Sequence, residues 1–367
     1  CDGGSTGPKV EAVARLELNP SNGTLQVGQT LLLTATAKDA SGNRLSGQKI
    51  SWSSSSTSVA TVSGTGLVTG MGVGNVTVTA VCRGISGTAS MTVISVPFES
   101  VSAGSSHSCG VTTGGAAYCW GRGGSGQLGT GSTVDKMVPT LVAGGLTFES
   151  VSANDNHTCG VTTEGAAYCW GNGGAGRLGN GSEEDRPMPT LVSGGLTWAS
   201  VSVGGIWFTC GLTTGGAAHC WGRGESGRLG NASTEDKSVP TLVSGGLTFA
   251  SLGTGAGHTC GVTSEGAVYC WGAGGWGRLG NGSTEDRLVP TLVSGGLTWG
   301  SVSAGGSHTC GVTTDGAAYC WGAGECGRLG NASTADELVP TSVSRGMTWA
   351  SVSAAGSHTC GVTPTGG

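Results

Sequence analysis

No apolar run in this chain of 367 residues approaches the roughly 18 residues that a membrane-crossing helix requires. Charged side chains are also sparse. Asp, Glu, Lys and Arg make up 11% of the sequence, the net charge is −5 and no basic run occurs, so nucleic acid is not an expected partner. No Gly-x-Ser-x-Gly elbow stands between a strand and a helix, which excludes that form of serine nucleophile. No two cysteines have the close spacing of zinc ligands or of a Cys-x-x-Cys dithiol. No catalytic residue, metal or cofactor is therefore expected, and no signal peptide is visible.

What the chain has in quantity is glycine and cysteine. Glycine accounts for 74 residues, a share that elsewhere signals disorder, but a 37% apolar fraction and regular spacing argue for order. Glycine returning to the same place in period after period is turn chemistry. Fourteen cysteines point to an oxidising compartment.

Residues 157–171 read HTCGVTTEGAAYCWG, and nearly the same words begin at His107, His258 and His308. Aromatic residues open each copy at Phe98, Phe148, Trp198, Phe249, Trp299 and Trp349, at periods of 50 or 51. The second copy contains four strand-like pieces, LTFESVSA, HTCGVTT, AAYCWG and PTLVSG, joined by Gly-rich turns. A period of that length with four strands predicts the blades of a β-propeller. With the hairpin turn centred near Glu164, Val161 faces Ala167, Gly160 faces Tyr168 and Cys159 faces Cys169. Opposed residues at a non-hydrogen-bonded antiparallel site have Cα atoms about 4.5 Å apart, within reach of a disulfide. The same register predicts Cys109–Cys119, Cys210–Cys220, Cys260–Cys270 and Cys310–Cys320. Each closes a small loop worth roughly 2–3 kcal/mol, in blades that bury little apolar surface per residue. Spacing leaves open the pairing of Cys82, Cys326 and Cys360, a Cys82–Cys326 bridge included.

The run CWGNGGAGRLGNGS from Cys169, with HTCGVT and EGAAYCWG beside it, resembles the regulator-of-chromosome-condensation repeat over residues 98–367. The resemblance implies a propeller that normally has seven blades. Five complete units are expected here (98–147, 148–197, 198–248, 249–298 and 299–348) with a partial sixth (349–367), as in a shortened version of a longer chain. Upstream, LQVGQTLLLTATAKDASGN, ISWSSSSTSVATVSGTGLVTG and GNVTVTA resemble a group 2 bacterial immunoglobulin-like domain over residues 10–96. There Leu31, Leu33, Ala35 and Ala37 alternate with polar or exposed positions, and Trp52 is the expected core plug. The fold class is all-β, a small β-sandwich followed by a β-propeller.

Residues 1–9 read as a flexible tether, and a leading cysteine followed by CDGGSTGP is similar to a mature bacterial lipoprotein. That likeness implies acylation of Cys1, which would hold the protein on a membrane surface without spanning it. The expected location is the periplasmic or outer face of a bacterial membrane.

Histidine recurs at His107, His157, His258, His308 and His358, and Phe208 takes its place in the third copy. A hydrogen bond holding each blade's inner turn is expected; a metal ring would be broken at Phe208. The loops GNGSEEDR from Gly179 and GNGSTEDR from Gly280 lack the alternating oxygens of a calcium loop and read as solvated turns. Two copies depart from their siblings. The third has Gly205-Ile206-Trp207-Phe208 with one inserted residue, and the fourth has Trp276 where others carry Ser, Ala or Cys. Large apolar groups on loops are either partner anchors or packing against an adjacent blade or the upstream domain. Ile206, Trp207, Phe208 and Trp276 are the candidate partner-binding residues.

The resemblance implies a rigid disc that presents loops to other proteins. Relatives exchange nucleotide on a small GTPase or grip β-lactamase, and neither activity is expected in this exported, disulfide-rich setting. The expected role is a non-catalytic, lipid-anchored scaffold or accessory subunit docking on a membrane complex or surface protein. A cell-surface adhesin or carbohydrate-binding protein is the alternative. A propeller enzyme is a third reading, one that needs converging acids or histidines at the axis.

Overall fold

The computed structural model describes residues 12–205, 207–344 and 346–364. Residues 138–141 apart, the chain divides at Pro97/Phe98 into two compact units.

The first unit is built of β1 (Arg15–Asn19), β2 (Asn22–Gln26), β3 (Thr30–Leu32), β4 (Thr34–Lys38), β5 (Ser51–Ser54), β6 (Ala60–Val62), β7 (Leu67–Gly70), β8 (Gly74–Cys82) and β9 (Ile85–Ile94). One sheet runs β2-β9-β8-β5, a second runs β3-β7-β6, and β1 pairs with β4. The β2–β9 pairing is parallel, whereas the long β8–β9 hairpin is antiparallel. Side chains alternate with period two, so Val76, Val78 and Ala80 of β8 and Met91 and Val93 of β9 meet Leu33 and Val68 in one core. Trp52 is not the plug of that core. It lies half-buried at the margin, while Leu33, Val78 and Met91 fill the centre. Cys82 ends β8 as a buried free thiol.

Among the described residues, the second unit contains five four-stranded sheets and a two-stranded sixth, each with its strands in chain order. In the second blade these are Phe148–Ala153, His157–Thr162, Ala167–Gly171 and Arg186–Leu191, all antiparallel. Cys159 faces Cys169, Gly160 faces Tyr168 and Val161 faces Ala167. Disulfides join Cys109–Cys119, Cys159–Cys169, Cys210–Cys220, Cys260–Cys270 and Cys310–Cys320, with Cα atoms 4.0–4.1 Å apart. Cys326 and Cys360 are exposed thiols.

Neighbouring blades interlock through a tryptophan. The aromatic residue that opens a blade packs on the tryptophan of its third strand, as in Phe148–Trp170 at 5.7 Å and Trp198–Trp221 at 5.6 Å. The same Trp221 enters the core of the preceding blade beside Leu178 and Val192. It lies against Gly179, whose φ is +69°; a Cβ there would stand 2.6 Å from the indole Nε1, so only glycine fits.

Candidate functional site

The turns between the first and second strands converge on an axial space of about 500 Å³, lined among others by Gly104, Asp155, Gly205, Gly255, Gly305 and His358. Small side chains and backbone make up most of its wall. Among the described residues no group of three or more His, Cys, Asp or Glu is placed to hold a metal.

The recurring histidines do not grip their own inner turns through the ring, as the sequence led us to expect. Each ring reaches the following blade: His107 Nε2 lies 2.8 Å from Thr158 Oγ1, His157 2.9 Å from Thr209, His258 2.8 Å from Thr309 and His308 2.8 Å from Thr359. Those threonine hydroxyls donate in turn to the carbonyls of Gln127, Arg177, Arg278 and Arg328. A hydroxyl has one proton to give, so the threonine accepts from histidine, which fixes the imidazole proton on Nε2. Nδ1 is left as an unprotonated nitrogen, buried and without a partner in all four. The inner turn is held by the histidine backbone carbonyl, which accepts from Asn154 N–H in the second blade and Gly305 N–H in the fifth.

Burial keeps these rings neutral. Desolvation lowers His107 and His308 from 6.5 to about 4, and holds His157 and His258 well below the ordinary value. Arg177 beside His157 and Arg278 beside His258 add to the effect.

Phe208 occupies the histidine position of the third blade and is fully buried in a core with Cys210, Leu212 and Phe249. It is not a partner-binding residue: its ring fills the space above Gly204 that the other blades give to a polar tie. Trp207 is half-buried, with the guanidiniums of Arg177 and Arg223 each 4.9 Å from its ring centroid. The indole is packed against two guanidiniums of the propeller, one of them from the preceding blade, so packing against the adjacent blade explains it. Ile206 and Cys1 lie outside the described residues.

Trp276 is placed differently. It stands at the tip of the single-turn helix Gly275–Gly277, 50% exposed, with the Arg278 guanidinium 4.7 Å over its ring. Ala175, Ser226 and Cys326 occupy the same tip in their blades, and the four share φ of 58°, 60°, 60° and 61° in the order of the chain. One backbone shape, unfavourable for any residue with a Cβ, therefore presents a different side chain in each blade.

Two further structural roles escaped the sequence reading. The acid-bearing loops are not merely solvated: Asp185 Oδ1 accepts from Gly173 N–H and from Asn172 Nδ2, each at 2.9 Å. Asp135, Asp236, Asp286 and Asp336 accept from the equivalent glycine N–H. The signal was present, an aspartate twelve residues after a glycine in each of the five complete copies. The buried arginines Arg177, Arg228 and Arg278 fold back so that Nε donates to the carbonyl three residues earlier. Arg278 also donates through Nη1 to Gly306 O in the next inner turn, 3.1 Å away. Burial lowers Arg177 to about 10, which leaves it charged at neutral pH.

Residues 12–93 match the bacterial Ig-like domain (group 2). Residues 114–161, 164–210, 215–262, 265–312 and 315–362 match the regulator of chromosome condensation (RCC1) repeat. Among solved structures, yeast RCC1 (Prp20), crystallised with Kap60 bound to it, is similar with a TM-score of 0.64 at 19% identity, over 73% of this chain and 68% of that one. Human WBSCR16 is similar with a TM-score of 0.64 at 17% identity, over 97% of this chain and 88% of that one. Both likenesses concern the fold. No curated protein matches this chain in sequence.

Proposed function

The chain belongs to the regulator of chromosome condensation (RCC1) repeat family, and on that premise we propose that it is a non-catalytic protein-binding scaffold of the bacterial cell envelope. Its disulfides and its bacterial Ig-like domain suit an extracytoplasmic bacterial protein. Acylation of Cys1 would anchor it to a membrane, and the intact mass of native material tests that point. The relative crystallised with Kap60 supports a protein as the class of partner.

The observation that carries the reading is the shared turn tip. Four blades hold Ala175, Ser226, Trp276 and Cys326 in one backbone conformation, and the fourth offers a half-exposed tryptophan. Arg278 already covers one face of that indole, so little side-chain freedom is lost when the other face docks. Tryptophan and arginine are the side chains that most often concentrate interface energy. We assign no reaction to the axial space. A glycan-binding reading would call for displayed aromatics in several blades, whereas Trp276 alone fills this role among the four tips.

A photo-crosslinking phenylalanine analogue at position 276 tests the reading, with the same analogue at Val239 on an outer strand as the control. A single protein adduct at 276 with none at 239 is expected. Equal adducts at both positions, or none at 276, would reject docking through the tips.

A further inference from the structure

The inner turns wall the axial space, and one of them brings a charge to it. Before the histidine the first, fourth and fifth blades read Gly-Ser-Ser from Gly104, Gly-Ala-Gly from Gly255 and Gly-Gly-Ser from Gly305. The third opens its longer turn with Gly204-Gly205, whereas the second reads Asn154-Asp155-Asn156. Asp155 is the one acid among the described residues that line the space. It is half-buried and forms no ion pair among the described residues. A carboxylate so placed has given up part of its hydration without gaining a counter-charge.

The turn that carries Asp155 is braced from both sides. Ser106 Oγ of the first blade donates to Asp155 O at 3.3 Å, and Asn154 Nδ2 donates to Val203 O of the third at 3.2 Å. Asn154 Oδ1 accepts from Asp155 N–H at 2.9 Å, so both ends of that amide hold the turn. These bonds fix the backbone and leave the Asp155 carboxylate free. One carboxylate outside any larger group of ligands is no metal site. Around it stand the hydroxyls of Ser105 and Thr254, and the methyl groups of Ala103, Ala256 and Ala304. A methylene stem suits such a wall, and a compact ammonium with three donors suits a lone carboxylate flanked by hydroxyls. The exposed tryptophan belongs to the same face: Arg278 lies 4.7 Å over the Trp276 ring and donates at 3.1 Å to Gly306 O in the axial wall.

We propose that the axial space receives a lysine side chain of the protein that docks on the turn tips, its ammonium paired with Asp155 and its stem lying along the alanines. The proposal rests on the reading of the chain as a protein-binding scaffold. One guanidinium, that of Arg278, reaches from Trp276 to the axial wall, so a partner seated on the tryptophan has the mouth of the space beside it.

Saturation-transfer NMR on the full chain tests the site by itself. The probe is N-acetyl-lysine methylamide, and the control is N-acetyl-norleucine methylamide, which has an alkyl stem and no charge. The lysine probe should bind about tenfold more tightly than the control, equivalent to about 1.4 kcal/mol. Asp155→Asn, which removes the charge and none of the bonds that brace the turn, should erase that margin. Equal binding of the two probes by the wild-type chain, or a margin that Asp155→Asn retains, would overturn the proposal. Capture of the partner from solubilised membranes then separates the proposal from the reading beneath it. Asp155→Asn should lower the captured partner about tenfold at limiting protein. A partner kept by Asp155→Asn and lost by Trp276→Ser would overturn the axial lysine while leaving docking through the tips intact; with probe binding intact, it would assign the space to a free amine.

Discussion

The Ig-like unit and the propeller reach stability by different routes. The first gathers one continuous core around Leu33, Val78 and Met91, and its Cys82 stays a thiol. A blade owns far less. The second contributes Cys159, Val161, Ala167, Cys169, Leu178 and Val192 to its cluster and takes in Trp221 from the third strand of the next. Where glycine-rich repeats cannot bury enough apolar surface each, a disulfide, a shared tryptophan and a His–Thr–carbonyl chain supply the cohesion instead.

Removing the staples breaks the comparison most severely. Each bridge contributes about 2–3 kcal/mol, so replacing all ten paired cysteines by alanine should leave the propeller unfolded while the Ig-like unit melts as before. Calorimetry that resolves the two transitions checks this; a single transition lost as a whole would contradict it.

The shared tryptophan predicts a smaller effect. Gly179→Ala forces a methyl group against Trp221 at φ +69° and should cost about 2–3 kcal/mol. Gly330→Ala meets the same backbone strain at φ +65°, with Val343 at 3.2 Å as the neighbour of its Cβ, and should cost about half as much. Denaturant titration of the two variants side by side measures the difference.

Acid should separate the units next. All six histidines lie in the propeller. Where the folded value is depressed, the unfolded chain binds protons first as the pH falls. The stabilisation from neutral His107 and His308 is thus complete above about 6.5 and drains away as pH drops towards about 4. The propeller transition should move down over that window while that of the histidine-free Ig-like unit does not follow it. His157→Phe, built on the example of Phe208, should flatten the propeller's slope.

The smallest change separates two tryptophans. Trp207→Ser loses two cation–π contacts and should cost about 1–2 kcal/mol, whereas Trp276→Ser should stay within about 0.5 kcal/mol. Thermal melts decide between packing and display at each position.

Much of this architecture is legible in the sequence because it is periodic. The strand alternation, the opposed cysteines and the turn glycines are local, and their signals lie within a dozen residues of one another. The rest depends on pairs that sequence spacing does not advertise. His157 finds Thr209 52 residues on, and Trp207 is clamped by Arg177, which belongs to the preceding blade. Read along the chain, Phe208 looks like an exposed apolar insertion beside Trp207, but strand pairing turns it inward. Trp276 stays half-exposed at its turn tip, where Arg278 covers its ring in part.

Mild detergent extraction of the producing bacterium's membranes, then size separation and mass spectrometry of what travels with the chain, tests protein binding most directly. The wild-type protein should co-migrate in fixed stoichiometry with a protein partner, and Trp276→Ser should lose that partner while Val239→Ser keeps it. Migration of the wild-type chain alone, or a partner retained equally by Trp276→Ser, would contradict docking through the turn tips.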